Sequence, residues 1–140
     1  MIPRDYRNVG CLLKMSNDAG TKVNHLKVKS YSFALRIVNL SRYLVAEHKE
    51  FVLSRQVMRS GTSIGANIEE AFQGQSTADF IHKLSIANKE AFETNYWLRL
   101  LRDSLLISPD QSAPLIAECE ELQRMLTAAI KTSKAKLNQP

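Results

Sequence analysis

Apolar residues along this chain recur every three or four positions and never alternate. Between residues 28 and 47, Phe33, Ile37, Leu40 and Leu44 step by four, three and four, flanked by Ala34, Val38 and Val45. That period marks one buried face of a helix. The polar stretch Glu47-His48-Lys49-Glu50 interrupts it. Val57, Gly61, Ile64, Ile68 and Ala71 then carry the rhythm through 52–74, where Gly74, lacking a Cβ, suits a left-handed helix stop. Ser76, with Asp79 three residues later, forms a near capping box that opens the third segment. Across 77–106 the inward positions Phe80, Leu84, Ala87, Ala91, Thr94, Leu98, Leu101 and Leu105 keep a four-three rhythm, which amounts to about 45 Å of helix. Leu106-Ile107-Ser108-Pro109-Asp110 reads as a stop and a turn. Leu115, Cys119, Leu122, Leu126 and Ala129 line a fourth helix over 111–136, closed by lysines that favour the negative end of a helix dipole.

Proline is absent between Arg4 and Ser108, so long helices are permitted there. No β-branched run alternates in the way a half-buried strand requires. Four helices joined by short turns must alternate in direction, so the pattern predicts an all-α, antiparallel up-down four-helix bundle. Residues 1–27 show no sustained period beyond the patch Cys11-Leu12-Leu13 and read as a flexible basic arm, with Met15 a second available translation start. Residues 137–140 read as a tail. A chain of 140 residues is one domain of ordinary size, able to bury a core without disulfides or metal.

Charge adds a feature that the overall +5 conceals. Residues 1–30 carry six basic and two acidic side chains, and Lys131, Lys134 and Lys136 add three more positive charges near the end. The hundred residues between hold ten basic and twelve acidic groups. Basic ends on a near-neutral body attract nucleic acid or another acidic partner, and they also keep a protein soluble. No apolar run approaches the roughly 18–20 residues of a membrane span, and the start lacks a secretion signal, so a cytoplasmic protein with no membrane partner is expected.

Candidate chemistry is sparse. A di-iron bundle core needs paired Glu-x-x-His motifs. Only Asp79-Phe80-Ile81-His82 comes near, while His25 falls in the arm and His48 in a turn. Cys11 and Cys119 have no CxxC spacing and no base or orienting partner, and no Gly-rich phosphate loop occurs. The expectation is no enzyme, no metal and no cofactor.

Beside the apolar seam of the second helix, Gln56, Ser60, Ser63, Asn67 and Glu70 repeat the same rhythm one residue earlier. This polar but small stripe, near Gly61, Gly65 and Ala66, reads either as a solvated shoulder or as a subunit or helix interface whose buried polar groups must pair. Arg55 and Arg59 stand one turn apart on the face turned away from the seam, and Arg99 and Arg102 pair similarly on the third helix. With Lys131, Lys134 and Lys136 they are candidate phosphate-binding residues. Arginines also stabilise helices through neighbouring glutamates. Trp97, next to Tyr96 and one turn after Glu93, reads as an anchor at the seam edge, with a base-stacking platform as the alternative.

The run from Gln56 to Glu70 resembles the second helix of the bacterial four-helix-bundle family encoded by intervening sequences of 23S rRNA genes. The family's pattern falls on Gln56, Arg59, Ser63, Ile64, Asn67, Ile68 and Glu70. Asp79-Phe80, Leu84, Ile86, Ala87 and Glu93 are similar to its third helix, and Lys89-Glu90-Ala91 with Tyr96-Trp97-Leu98 resembles one branch. The likeness runs from about Lys29 to Lys134. Departures are Ala71, where a glycine is common, and Lys89-Glu90, where many members carry Gly-Ser. The resemblance implies a small homo-oligomer. Through related accessory proteins of diversity-generating retroelements, it further implies a barrel-like pentamer whose basic surface binds RNA or DNA and a reverse transcriptase. The resulting expectation is a non-enzymatic, oligomeric nucleic-acid-binding accessory factor, with a protein-interaction scaffold as the alternative.

Overall fold

The computed structural model describes residues 22–139, with side chains from His25 onward. Four helices follow in order: α1 (Lys22–His48), α2 (Val52–Phe72), α3 (Thr77–Asp103) and α4 (Pro109–Leu137). Each packs on its neighbour in the chain and α4 returns to α1, so the connectivity is up-down around four corners. No strand occurs among the described residues.

Helix α1 begins at Lys22 rather than near residue 28. Leu26 and Ser30, 3% and 1% exposed, extend the steps of Phe33, Ile37, Leu40 and Leu44 backwards, so the earlier turns also have a core to face. The later part of the stretch read as an arm is therefore helical, and His25 sits on α1. Residues 1–21, with Cys11, lie outside the described residues. Ile37, Leu40, Leu44, Val57, Ile64, Leu84, Leu98 and Leu126 have no exposed surface. Side chains of this kind contribute about 1.5–3 kcal/mol each when fully buried.

Glu50 links the first two helices. Its N–H donates to the Leu44 carbonyl (3.1 Å) beyond Lys49, whose φ of 51° places it in the left-handed position that ends α1. Its carboxylate accepts from the N–H groups of Val52, Leu53 and Ser54 at 3.1, 3.0 and 2.8 Å, satisfying the open first turn of α2. At Gly61 α1 and α2 approach so closely that an added Cβ would meet Ile37 Cγ2 at 2.7 Å, and one at Gly65 would lie 3.5 Å from the Ser30 carbonyl. The backbone that these glycines admit belongs to α1 of the same chain.

The other junctions correct two details. Gly74 does not adopt the left-handed conformation; an added Cβ there would press on the Ala71 carbonyl at 3.0 Å, so its role is spatial. Leu105, placed inward by the heptad rhythm, is 85% exposed with φ 65°. Helix α3 has already ended at Asp103. The N–H of Leu106 turns back to the Leu101 carbonyl at 3.0 Å in a left-handed cap, and Ile107, 2% exposed, enters the core instead. Ser76 caps α3 through the Asp79 N–H at 3.1 Å. Helix α4 starts at Pro109, with Ser108 and Gln111 forming a reciprocal capping box at 3.1 and 2.8 Å.

The α1–α4 seam is the thinnest of the four. Ion pairs Lys29–Glu121 and Arg36–Glu118 cross it.

Candidate functional site

The polar stripe of α2 divides by depth. Ser60 is fully buried at the α2–α3 seam, its hydroxyl 2.9 Å from that of Thr94. Ser63 and Asn67 are half-buried and bond along their own helix, to the Arg59 carbonyl (2.6 Å) and the Ser63 carbonyl (2.8 Å). Glu70 is exposed and pairs with Lys83 of α3 at 2.7 Å. Gln56 is exposed. The stripe therefore runs beside the α2–α3 seam.

Arg59 reaches across that seam instead of pointing away from it. Its guanidinium donates to Glu93 (2.5 Å) and to Glu90 (3.5 Å). The Arg59 bond holds the Glu93 carboxyl below its usual range against the effect of burial, while burial outweighs Arg59 and raises Glu90. Glu93 also accepts from the Trp97 indole N–H at 3.3 Å, and Trp97 lies edge-on to Tyr96 with ring centroids 5.0 Å apart. Trp97 is half-buried against the core, and it braces Tyr96.

The other arginines are not gathered with Arg59. Arg99 donates to Asn95 at 2.9 Å and, six residues after Glu93, lies about 120° round α3 from it, on the opposite shoulder of the helix. Arg102 pairs with Asp103 at 2.8 Å. Arg55 is exposed and makes no ion pair among the described residues. Lys131, Lys134 and Lys136 are exposed on the last turns of α4, also with no ion pair among the described residues. The up-down order puts them at the same end as the start of α1, where Lys27 pairs with Glu69 and lies 4.8 Å above the Phe72 ring. A groove of about 740 Å³ opens at this end between α1 and α4, floored by Leu26, Phe72, Phe80 and Met125 and rimmed by His25 and Lys136.

Among the described residues no three His, Cys, Asp or Glu side chains cluster to hold a metal. Among the described residues no helix is long and apolar enough to cross a membrane. Cys119 is fully buried, and burial pushes its thiol up to about 12, far from a reactive thiolate.

The sequence from residue 24 to 128 matches the model of the 23S rRNA-intervening sequence protein family, which is most of the chain. The chain belongs to that family. Consistent with this, it is 54% identical to a protein of unknown function from the S23 ribosomal protein family of Bacteroides thetaiotaomicron. The two structures superpose with a TM-score of 0.78 over 79% of this chain and 99% of that one. No curated protein matches. The 23S rRNA-intervening sequence protein family is thus represented here by an up-down four-helix bundle.

Two groups lie outside the candidate residues read from the sequence. The exposed rings of Phe92 and Tyr96 fall on the outer face of α3, three and seven residues after Lys89, a spacing visible once the inward positions are set aside. Glu90 and Glu93 were unrecognised as the partners of Arg59, because that pairing depends on the register between two helices.

Proposed function

We propose that this protein is a non-enzymatic, oligomeric accessory factor that binds RNA or DNA through its lysine-bearing end. The carrying observation is the free charge of Lys131, Lys134 and Lys136, exposed together where α4 finishes beside the start of α1. Lys27 and Lys29 nearby are already tied to Glu69 and Glu121, so the α4 lysines supply the uncommitted positive field. Membership of a family named for a 23S rRNA intervening sequence supports an RNA context. Three lysines bind weakly alone, but an oligomer multiplies them on one particle and converts weak contacts into avidity. The resemblance to retroelement accessory proteins makes a pentamer the expected assembly, a reverse transcriptase a candidate partner and the cytoplasm the expected location. Arg59 is neutralised by two glutamates and serves packing in this reading, whereas Arg55 and Arg99 keep their charge available.

Titrating structured RNA and duplex DNA at about 50 and 200 mM salt tests this, because each phosphate neutralised releases counterions and steepens the salt dependence. Binding that weakens steeply with salt, and loses slope when Lys131, Lys134 and Lys136 become alanine, is the expected result. Salt-indifferent behaviour, or no binding by particles of any size, overturns the reading and favours a protein-interaction scaffold.

A further inference from the structure

The outer face of α3 carries a second arrangement that charge alone does not explain. Lys89, Phe92, Tyr96 and Arg99 are spaced by three, four and three residues, which at 100° per residue confines them to an arc of roughly 80°. All four are exposed, Phe92 by 60% and Tyr96 by 50%. The core is filled from the opposite side of the helix by Leu84, Ala87, Ala91, Leu98 and Leu101. The two rings therefore contribute little to folding.

Tyr96 is held in place. Its ring meets Trp97 at 71°, the Trp97 indole is fixed by Glu93, and Glu93 is fixed by Arg59. One ring edge is thus braced while half the side chain stays open to solvent. The flanking cations are available. Lys89 makes no ion pair among the described residues, and Arg99 donates to the neutral Asn95. The nearby Asp103 carboxylate is taken by Arg102 through two bonds of 2.8 and 3.4 Å.

A cation, two rings and a second cation in line match the way proteins hold unpaired strands, with bases stacked on aromatic faces and phosphates near lysine or arginine. Ring spacing discriminates between ligands. Phe92 and Tyr96 are separated by about 6 Å along the helix, whereas successive nucleotides of a duplex strand rise about 3.4 Å with their faces already covered. Only an unstacked strand can place a base on each ring. We infer that the Lys89–Arg99 face of α3 is a stacking site for single-stranded nucleic acid, separate from the lysine-bearing end. This rests on the nucleic-acid reading above and adds to it a preference for unpaired segments.

The chain's single tryptophan, Trp97, adjoins the Tyr96 ring and reports on it. The experiment follows Trp97 emission while the full chain is titrated with a short oligouridylate, and with a duplex of the same length, at two salt concentrations. Light scattering on each sample gives the particle mass. Single strands are expected to bind more tightly than duplex and to change Trp97 emission in step with binding. Phe92→Ala and Tyr96→Ala should each weaken single-strand binding by about 5- to 100-fold without altering its salt slope, and Tyr96→Phe should retain it. Lys89→Ala and Arg99→Ala should instead reduce the slope.

Aromatic variants that bind single strands as the parent does, or a parent that treats strand and duplex alike, overturn the stacking site and leave charge-driven binding intact. A parent that binds neither probe removes both readings. Loss of particle mass in Phe92→Ala or Tyr96→Ala assigns the face to contact between copies of this chain and overturns the proposal.

Discussion

The hydroxyl oxygens of Ser60 and Thr94 lie 2.9 Å apart at the fully buried seam between α2 and α3. Thr94 also reaches the Glu90 carbonyl at 2.7 Å, whereas the other contact of Ser60, to the Val57 carbonyl, is a long 3.4 Å. Thr94→Val therefore strands the Ser60 hydroxyl. A loss of about 1–3 kcal/mol in urea unfolding is expected, as for a buried polar group left without a good partner. Adding Ser60→Ala removes the stranded group, so the double variant should be more stable than the sum of the two single losses implies. Strict additivity would show that the two hydroxyls do not interact.

Leu105 gives the opposite expectation. A leucine held at φ 65° carries the penalty of the left-handed region, and at 85% exposure its side chain recovers almost nothing by packing. Leu105→Gly should raise stability by about 1 kcal/mol, read as a higher urea midpoint at unchanged slope. A lower midpoint would mean that the exposed side chain is covered in solution.

Glu90 and Glu93 should titrate apart although Arg59 touches both. Glu93 is held below the ordinary glutamate value, so its contribution to stability is fully present above about pH 4.3 and is lost as pH falls through the folded value. Glu90 is raised by burial, so the folded protein takes up that proton first and this contribution grows as pH falls toward the ordinary value. Arg59 is half exposed, which keeps each effect under roughly 1 kcal/mol. Carboxyl-carbon NMR titration checks the order. Glu93→Gln should flatten the acid limb of stability and perturb Trp97 emission, and Glu90→Gln should do neither.

Cys119 should resist alkylation in the folded protein. Its thiol is raised to about 12 by burial and lies 3.1 Å from the Ala91 carbonyl. In a Cys11→Ser background, iodoacetamide at mildly alkaline pH should modify Cys119 only as fast as the bundle unfolds. Rapid modification under native conditions would indicate that the α3–α4 seam opens locally.

The helix faces were legible because apolar periodicity is a local property, and Phe33 through Leu44 or Leu115 through Leu126 state it without interruption. Leu105 shows where that legibility ends. A heptad continues on paper past the residue at which the backbone turns left-handed, and the count gave no warning that Ile107 would enter the core instead. The start of α1 was hidden because its inward position at 30 is a serine, bonded to the Lys27 carbonyl at 3.0 Å, so the rhythm looked broken where burial was continuous. Side-chain partners were less legible than faces. That Arg59 would meet Glu90 and Glu93, while Arg99 would stand on the far shoulder, depends on how two helices are phased and staggered, which no single segment encodes. The basic ends were visible as composition, but that Lys27 and Lys29 lie at the same end of the bundle as Lys131, Lys134 and Lys136 follows from the direction of all four described helices.

The four described helices make an even number of passes, so Lys22 and Leu137 lie at the same end of the bundle. A domain or tag fused directly after Leu137 therefore stands next to Lys131, Lys134 and Lys136, in the space where the proposal above places a phosphate chain. The turns at Lys49 and Ser104 lie about 40 Å away, the length of α3. They are the places where a probe can be carried without shielding the lysines.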